Sequence, residues 1–223
     1  EHMTPVILLS DAFIGNGSSA WRVPEADEYP AIKPPYLPQE RIDAGGWRPY
    51  ERREDNKVRY WAIPGTEGAA HRLGGLEKDY LTGAISTDAA NHEKMVYTRK
   101  EKIARIADDI PALELLGDED ADILLTGWGG TYGHLRTAAA ELRKAGKKVA
   151  FTHFRYINPL PANTAELLGK FKTVVVAELN TGQFADYLQG KFPGVHIERI
   201  NKVQGQPFLV KEIIDAMLQI MNK

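Results

Sequence analysis

The chain has 223 residues, 43% of them hydrophobic and 26% charged, with 28 Lys and Arg against 30 Asp and Glu for a formal net charge of −2. This composition is that of a globular protein with a sizeable core, and the length suits one large domain or one compact domain with an extended appendage. The charge balance argues against an electrostatic nucleic-acid binder, no apolar run is long enough to cross a bilayer, and zero cysteine rules out disulfides, thiolate nucleophiles, Cys-ligated zinc and iron–sulfur ligation by this chain.

Glu1-His2-Met3 reads as a cloning scar, and Thr4 to Leu9 (Pro-Val-Ile-Leu-Leu after the threonine) as a strand ending at Ser10-Asp11. Residues 21–90 hold most of the prolines and many glycines, including Pro34-Pro35, Gly45-Gly46, Pro64-Gly65 and Gly74-Gly75, which excludes long helix and central sheet. The segment also carries Trp21, Tyr29, Tyr36, Trp47, Tyr50, Tyr60 and Trp61. Aromatics bury large areas, so it is expected to lie against something else, and parts of residues 18–60 are expected to be mobile or ordered by a homodimer. A helix follows over residues 91–109, with Met95, Ile103 and Ile106 inward, Lys94, Arg99, Lys100 and Lys102 outward, and Pro111 beyond its end.

From Ile123 the pattern changes. Ile123-Leu124-Leu125, Val149-Ala150-Phe151, Val174-Val175-Val176 and Val195-His196-Ile197 read as strands, the first three apolar enough to be covered on both faces. Helical patterns lie between and after them: Leu135, Ala138, Ala139 and Leu142 with Gly146 as stop; Ala165, Leu167 and Leu168 with Asn163 as N-cap and Glu166 three residues later; Phe184, Tyr187 and Leu188; and a last helix from near Pro207 with Leu209, Ile213, Met217 and Met221 on one stripe. This order predicts an α/β fold, an open and mostly parallel sheet flanked by helices over residues 111–223 and preceded by an extended irregular segment.

Three loops should emerge on one edge of that sheet. Gly127-Trp128-Gly129-Gly130-Thr131-Tyr132-Gly133 joins the first strand to the first helix. Backbone N–H groups at such a turn attract anions, yet Tyr132 stands where the dinucleotide fingerprint needs a third glycine, and the acidic ribose-binding residue is replaced by His153-Phe154-Arg155. Two readings stay open: a tight turn with Trp128 packed on a neighbour, or an anion- or NADP-binding Rossmann-like site using Arg155. Glu178 ends the third strand, where function tends to sit in open α/β sheets, but a carboxylate there also serves to cap backbone donors. Arg155, Asn158, Asn180 and Gln183 complete a polar rim suited to docking or anion binding. The histidines show no metal spacing, no serine sits in a nucleophile elbow, and no Walker loop is present. No catalytic, cofactor-binding or metal residue is assigned.

Several strings run in family order through the chain: residues 4–11, Trp61-Ala62-Ile63-Pro64-Gly65-Thr66-Glu67-Gly68, residues 71–79, Asn91-His92 with Lys94-Met95, the 127–133 loop, residues 155–161, Glu178-Leu179-Asn180 with Gly182-Gln183, and residues 201–208. Together they resemble the alpha subunit of 2-oxoacid:ferredoxin oxidoreductases, especially the 2-oxoglutarate type. The resemblance implies a thiamine-diphosphate enzyme that decarboxylates a 2-oxoacid oxidatively, forms an acyl-CoA and passes electrons through a [4Fe–4S] cluster to ferredoxin. It implies a beta subunit holding the diphosphate, Mg and cluster, a cytoplasmic setting, and, for this chain, the end of a pyrimidine-binding domain (4–20), an irregular linker (21–110) and a transketolase-C-like domain (111–223). On this reading the chain is a shortened or divergent alpha subunit, binds no cofactor alone and is inactive alone. Asp11-Ala12-Phe13-Ile14-Gly15-Asn16-Gly17 departs from the family's Asp-Gly-Tyr-x-x-Asn-Gly.

Overall fold

The computed structural model describes residues 1–18, 20–118 and 120–222; Ser19, Glu119 and Lys223, which fall within the expected segments, lie outside the described residues. In chain order the elements are α1 (Ala12–Asn16), α2 (Gln39–Asp43), α3 (Ala89–Arg105), β1 (Ile123–Gly127), α4 (Tyr132–Lys144), β2 (Val149–Phe151), α5 (Thr164–Gly169), β3 (Thr173–Glu178), α6 (Gln183–Lys191), β4 (Ile197–Asn201) and α7 (Val210–Met221). The chain divides into two compact units, Glu1–Val6 with Trp21–Asp109, and Ile7–Ala20 with Ile110–Lys223.

The second unit contains an open four-stranded parallel sheet in the order β2-β1-β3-β4, the architecture expected for residues 111–223. Side chains alternate across β3, so Val174 and Val176 enter one core while Val175 and Ala177 enter the other. The first core gathers Leu124, Ala150, Phe154, Leu167, Leu168, Phe184 and Leu188, bringing α5 and α6 onto that face. The second gathers Leu125, Phe151, Leu135, Leu142, Ile213 and Met217 under α4 and α7. Full burial of each such aliphatic side chain stabilises by about 1.5–3 kcal/mol, which is why continuous apolar runs become central strands here.

Three local expectations are corrected. β4 begins at Ile197 rather than Val195, because the edge strand carries Glu198, Arg199 and Asn201 and buries only Ile200. Just ahead of α7 it is Phe208 that is buried, whereas Leu209 is exposed; Glu212 reaches back to accept from Leu209 N at 2.8 Å and fixes the helix start at Val210. Asn163 occupies the N-cap position of α5 but does not cap it. Its amide pairs with the backbone of Leu113 instead, accepting from the N–H at 2.8 Å and donating to the carbonyl at 3.0 Å.

The expected strand at residues 4–9 does not form. Val6, Ile7 and Leu8 are more than four-fifths exposed, and no ladder hydrogen bond engages them among the described residues. A strand without a partner has no reason to persist, however apolar.

In the first unit, residues 21–88 contain turns, a 3-10 turn at Ala26–Glu28 and the short α2. Its regular element is α3, which starts at Ala89 with the Asp88 side chain accepting from Asn91 N at 2.7 Å and ends at Arg105 before a 3-10 turn, shorter than the expected 91–109. Met95 and Thr98 face inward. Lys102 does not point away as expected: it is half-buried, and its Nζ donates to the Met3 carbonyl at 2.8 Å. Of the aromatics, Tyr50 is buried beneath the Arg59 guanidinium, 4.2 Å from the ring centre, while Trp21 is largely exposed.

Candidate functional site

The connections from β1 and β3 run in opposite directions along the sheet, which opens a crevice beyond their carboxyl ends. Glu178 stands in that crevice, on the last residue of β3. It is completely buried. Its Oε2 accepts from Phe184 N at 2.9 Å, Asn180 Nδ2 at 3.0 Å and Trp128 Nε1 at 3.1 Å, and its Oε1 accepts from Ala185 N at 2.9 Å. The two backbone donors belong to the first turn of α6, whose N–H groups lack intrahelical partners and whose dipole favours a negative charge. Asn180 bends the chain toward that helix, its Oδ1 accepting from Gly182 N at 2.7 Å, and Gly182 takes φ +106°, a conformation that favours glycine.

The glycine loop closes against the same point. A Cβ at Gly127 would lie 2.5 Å from Leu135 Cδ1, 2.7 Å from Thr131 Oγ1 and 2.8 Å from the Ala177 carbonyl oxygen, so β1, β3 and α4 approach as they do only because that side chain is absent. Trp128 leans on Phe184 with ring centres 6.3 Å apart, while its indole N–H holds Glu178. A Cβ on Gly130 would come within 1.9 Å of Asp11 Oδ2, so the Asp11 carboxylate rests on the outer face of the loop while its Oδ1 caps α1 by accepting from Ile14 N at 3.0 Å. Thr131 is buried and donates to the Trp128 carbonyl at 2.8 Å.

His153, at the end of β2, is a feature the sequence motifs did not single out. Thr131 has already spent its proton on Trp128, so its 3.3 Å contact with His153 Nε2 requires the imidazole to donate. Burial first, and the Arg155 charge second, lower the His153 pKa from 6.5 to about 4. The ring borders a cavity of about 160 Å³ with Tyr132, Tyr156 and Arg155. That is smaller than the ~300–1,000 Å³ of ordinary small-molecule sites.

The remaining sequence candidates separate. Arg155, Asn158 and Gln183 are exposed on the rim, with Tyr187 Oη 3.4 Å from Asn158 Oδ1. Gly127, Trp128, Thr131, Glu178 and Asn180 form the tied centre, and Gly129 and Gly130 the loop outside it. No group of three or more His, Asp or Glu residues able to hold a metal occurs among the described residues, and with no cysteine the chain offers no thiolate set for an iron–sulfur cluster. No helix among those residues is long and apolar enough to cross a membrane.

Residues 121–213 match the family described as pyruvate:ferredoxin oxidoreductase core domain II. They belong to that family. The chain carrying this core domain II is 44% identical over 215 residues, 96% of its length, to the 2-oxoglutarate oxidoreductase subunit KorA of Mycobacterium tuberculosis, covering 32% of that protein. It is 32% identical over 148 residues to subunit alpha of 2-oxoacid:ferredoxin oxidoreductase 1 from Aeropyrum pernix, a match covering 63% of this chain and 23% of that one. The 2-oxoglutarate:ferredoxin oxidoreductase of Magnetococcus marinus, solved with 2-oxoglutarate, coenzyme A and succinyl-CoA bound, superposes with a TM-score of 0.78 at 28% identity, covering 88% of this chain and 34% of that one. The chain thus spans about a third or less of these relatives' length.

Proposed function

We propose that the chain is the core-domain-II portion of the alpha subunit of a thiamine-diphosphate-dependent 2-oxoglutarate:ferredoxin oxidoreductase. The complete complex converts 2-oxoglutarate and coenzyme A to succinyl-CoA and passes electrons through a [4Fe–4S] cluster to ferredoxin in the cytoplasm. The similarity to the M. tuberculosis KorA along 96% of this chain carries the reading. On this reading thiamine diphosphate, Mg and the cluster are held by the beta subunit and the rest of the alpha subunit; for the cluster, the lack of cysteine in this chain supports that. Its contribution is a rigid docking surface.

Within that surface, Glu178, Trp128 and Asn180 tie the two central strand ends together, and Arg155, Asn158, Gln183 and the 129–131 turn present the rim to a neighbouring subunit, the beta subunit or a second alpha chain. Glu178 is unsuited to general-base work, since all four hydrogen bonds that reach it come from its own domain. The Asp11 carboxylate against Gly130 disfavours a dinucleotide pyrophosphate at the loop.

Joining this chain to its upstream alpha-subunit domain and the beta subunit tests the proposal. The assembly should reduce viologen in a reaction needing both 2-oxoglutarate and coenzyme A, and this chain alone should not. Charge reversal at the rim, Arg155→Glu, should weaken subunit association while leaving the melting temperature of the isolated chain nearly unchanged. A saturable thermal shift with NADP, or no turnover by the assembly, would overturn it.

A further inference from the structure

The first unit holds a group of cations, Arg52, Arg59 and Lys102, that form no ion pair with a carboxylate among the described residues. A turn over residues 53–58, in which Arg53 N donates to the Val58 carbonyl at 2.9 Å, sets Arg52 directly opposite Arg59 in an antiparallel bridge. Like charges placed across a bridge repel. Lys102 on α3 adds a third positive charge: burial and then the Arg52 and Arg59 charges hold its pKa below the ordinary lysine value. Burial, then Arg59, and further on Arg99, likewise lower that of Arg52.

The nearby carboxylates are committed elsewhere. Glu51 pairs with Arg41 at 3.0 Å, Glu54 with Lys57 at 3.0 Å, Glu77 with Arg99 at 2.8 Å and Glu101 with Arg105 at 2.5 Å. Donors are left over. Arg52 gives one N–H to the Lys57 carbonyl at 3.1 Å, and its Nε is buried with no hydrogen-bond partner among the described residues. Among the described residues Arg59 donates to the Pro49 carbonyl at 3.4 Å and lies over the Tyr50 ring, and Lys102 donates to the Met3 carbonyl. Two guanidinium forks and an ammonium, each partly desolvated and partly exposed, match a tetrahedral oxyanion with several acceptor oxygens.

We propose that Arg52, Arg59 and Lys102 form a binding site for a phosphate or diphosphate group. The Arg52–Arg59 bridge supplies two planar donor forks, and Lys102 supplies the point charge beside them. Such a site explains why mutually repelling cations are held together where carboxylate partners were available to neighbours. It stands independently of the function proposed above.

Calorimetric titration of the full chain with inorganic phosphate, pyrophosphate and ADP, at ionic strength matched with sodium chloride, tests the assignment. Pyrophosphate should bind saturably and more tightly than phosphate, and Arg59→Met and Lys102→Met should each weaken it by about 10-fold, the loss of one charge-assisted contact. Lys211→Met, on an exposed i,i+4 pair in the second unit, should leave binding unchanged. Without ligand, Lys102→Met should melt no lower than the parent, since repulsion is relieved. ADP binding tighter than pyrophosphate would mark a nucleotide as the source of the group, and equal binding a free phosphate compound. Absence of saturable binding, equal loss on Lys211→Met, or a succinate response matching that to pyrophosphate would overturn the proposal, the last by identifying a carboxylate of a covering chain as the natural occupant.

Discussion

Replacing Glu178 with alanine puts the tie at the strand ends to the test. The carboxylate is completely buried and accepts from Phe184 N, Ala185 N, Asn180 Nδ2 and Trp128 Nε1 over 2.9–3.1 Å. Alanine leaves four donors without an acceptor, each costing about 1–3 kcal/mol if it stays dry. The four do not simply add. The variant no longer desolvates a charge, and water can reach the partly exposed Trp128 and Asn180. A net loss of about 3–5 kcal/mol is therefore expected, the range for breaking a buried charged network. For a unit of this size that lowers the melting temperature by roughly 10–20 °C. Glu178→Gln separates charge from shape: with its one acceptor oxygen at the Oε2 position, glutamine keeps three bonds but turns an amide NH₂ toward Ala185 N–H, for a loss of about 2 kcal/mol. Urea unfolding gives the free energies, and exchange of the Trp128 indole proton reports the site itself. An alanine variant within about 1 kcal/mol of the parent, the worth of one ordinary hydrogen bond, would refute the reasoning.

His153 should titrate near pH 4 by NMR, and Arg155→Met should raise that midpoint only partly, because burial is the larger cause. The folded pKa lies below the unfolded one, so this histidine's contribution is complete above pH 6.5 and is lost as pH falls toward 4; with this shift the loss is about 3 kcal/mol, absent in a His153→Phe variant. Gly127→Ala should destabilise the second unit by at least about 2 kcal/mol, since the new methyl meets a backbone carbonyl and a core leucine. Gly130→Ala meets first the Asp11 carboxylate, a side chain that can move, and should cost less than about 1 kcal/mol, its signature being faster amide exchange at Ile14 when the α1 cap is displaced. Truncating the fully buried Ile213 to alanine should cost about 2–5 kcal/mol in urea unfolding.

What the sequence could reveal follows from how each element is stabilised. β1, β2 and β3 are covered on both faces, so their apolar runs were unambiguous; β4 is an edge strand burying little beyond Ile200, and its true span carries the polar pattern of a loop. The segment at residues 4–9 has every local mark of a strand, but pairing is not a local property. Glu178 was legible as a residue at the right place, because the end of β3 could be read from Val174-Val175-Val176. Its partners were not. Trp128 is fifty positions away, and nothing in a tryptophan after a glycine says that its N–H will hold a glutamate. Asn163 shows the opposite trap: an asparagine before a helix reads as a cap, yet an amide carries both donor and acceptor and here pairs with the Leu113 backbone.

The same limit applies to charge, and there it has a consequence for function. Helix phase puts Lys102 on the outward side together with Lys94, Arg99 and Lys100. Its neighbours in the chain, Glu101 and Lys100, are indeed exposed. The half-turn that separates inward from outward is only a residue or two wide on a helix with 3.6 residues per turn, so periodicity could not tell which lysine turns toward Arg52 and Arg59. The juxtaposition of the two arginines depends on the 53–58 turn, where Lys57 adopts φ +58° and Val58 N donates to Asn56 Oδ1 at 3.0 Å. Asp55-Asn56 marks a turn there, but nothing in the sequence says that it sets Arg52 opposite Arg59. A charge cluster assembled by a turn and a helix face is thus invisible to composition, which reads −2 for the whole chain. Only the three-dimensional arrangement separates the cations with carboxylate partners from those without.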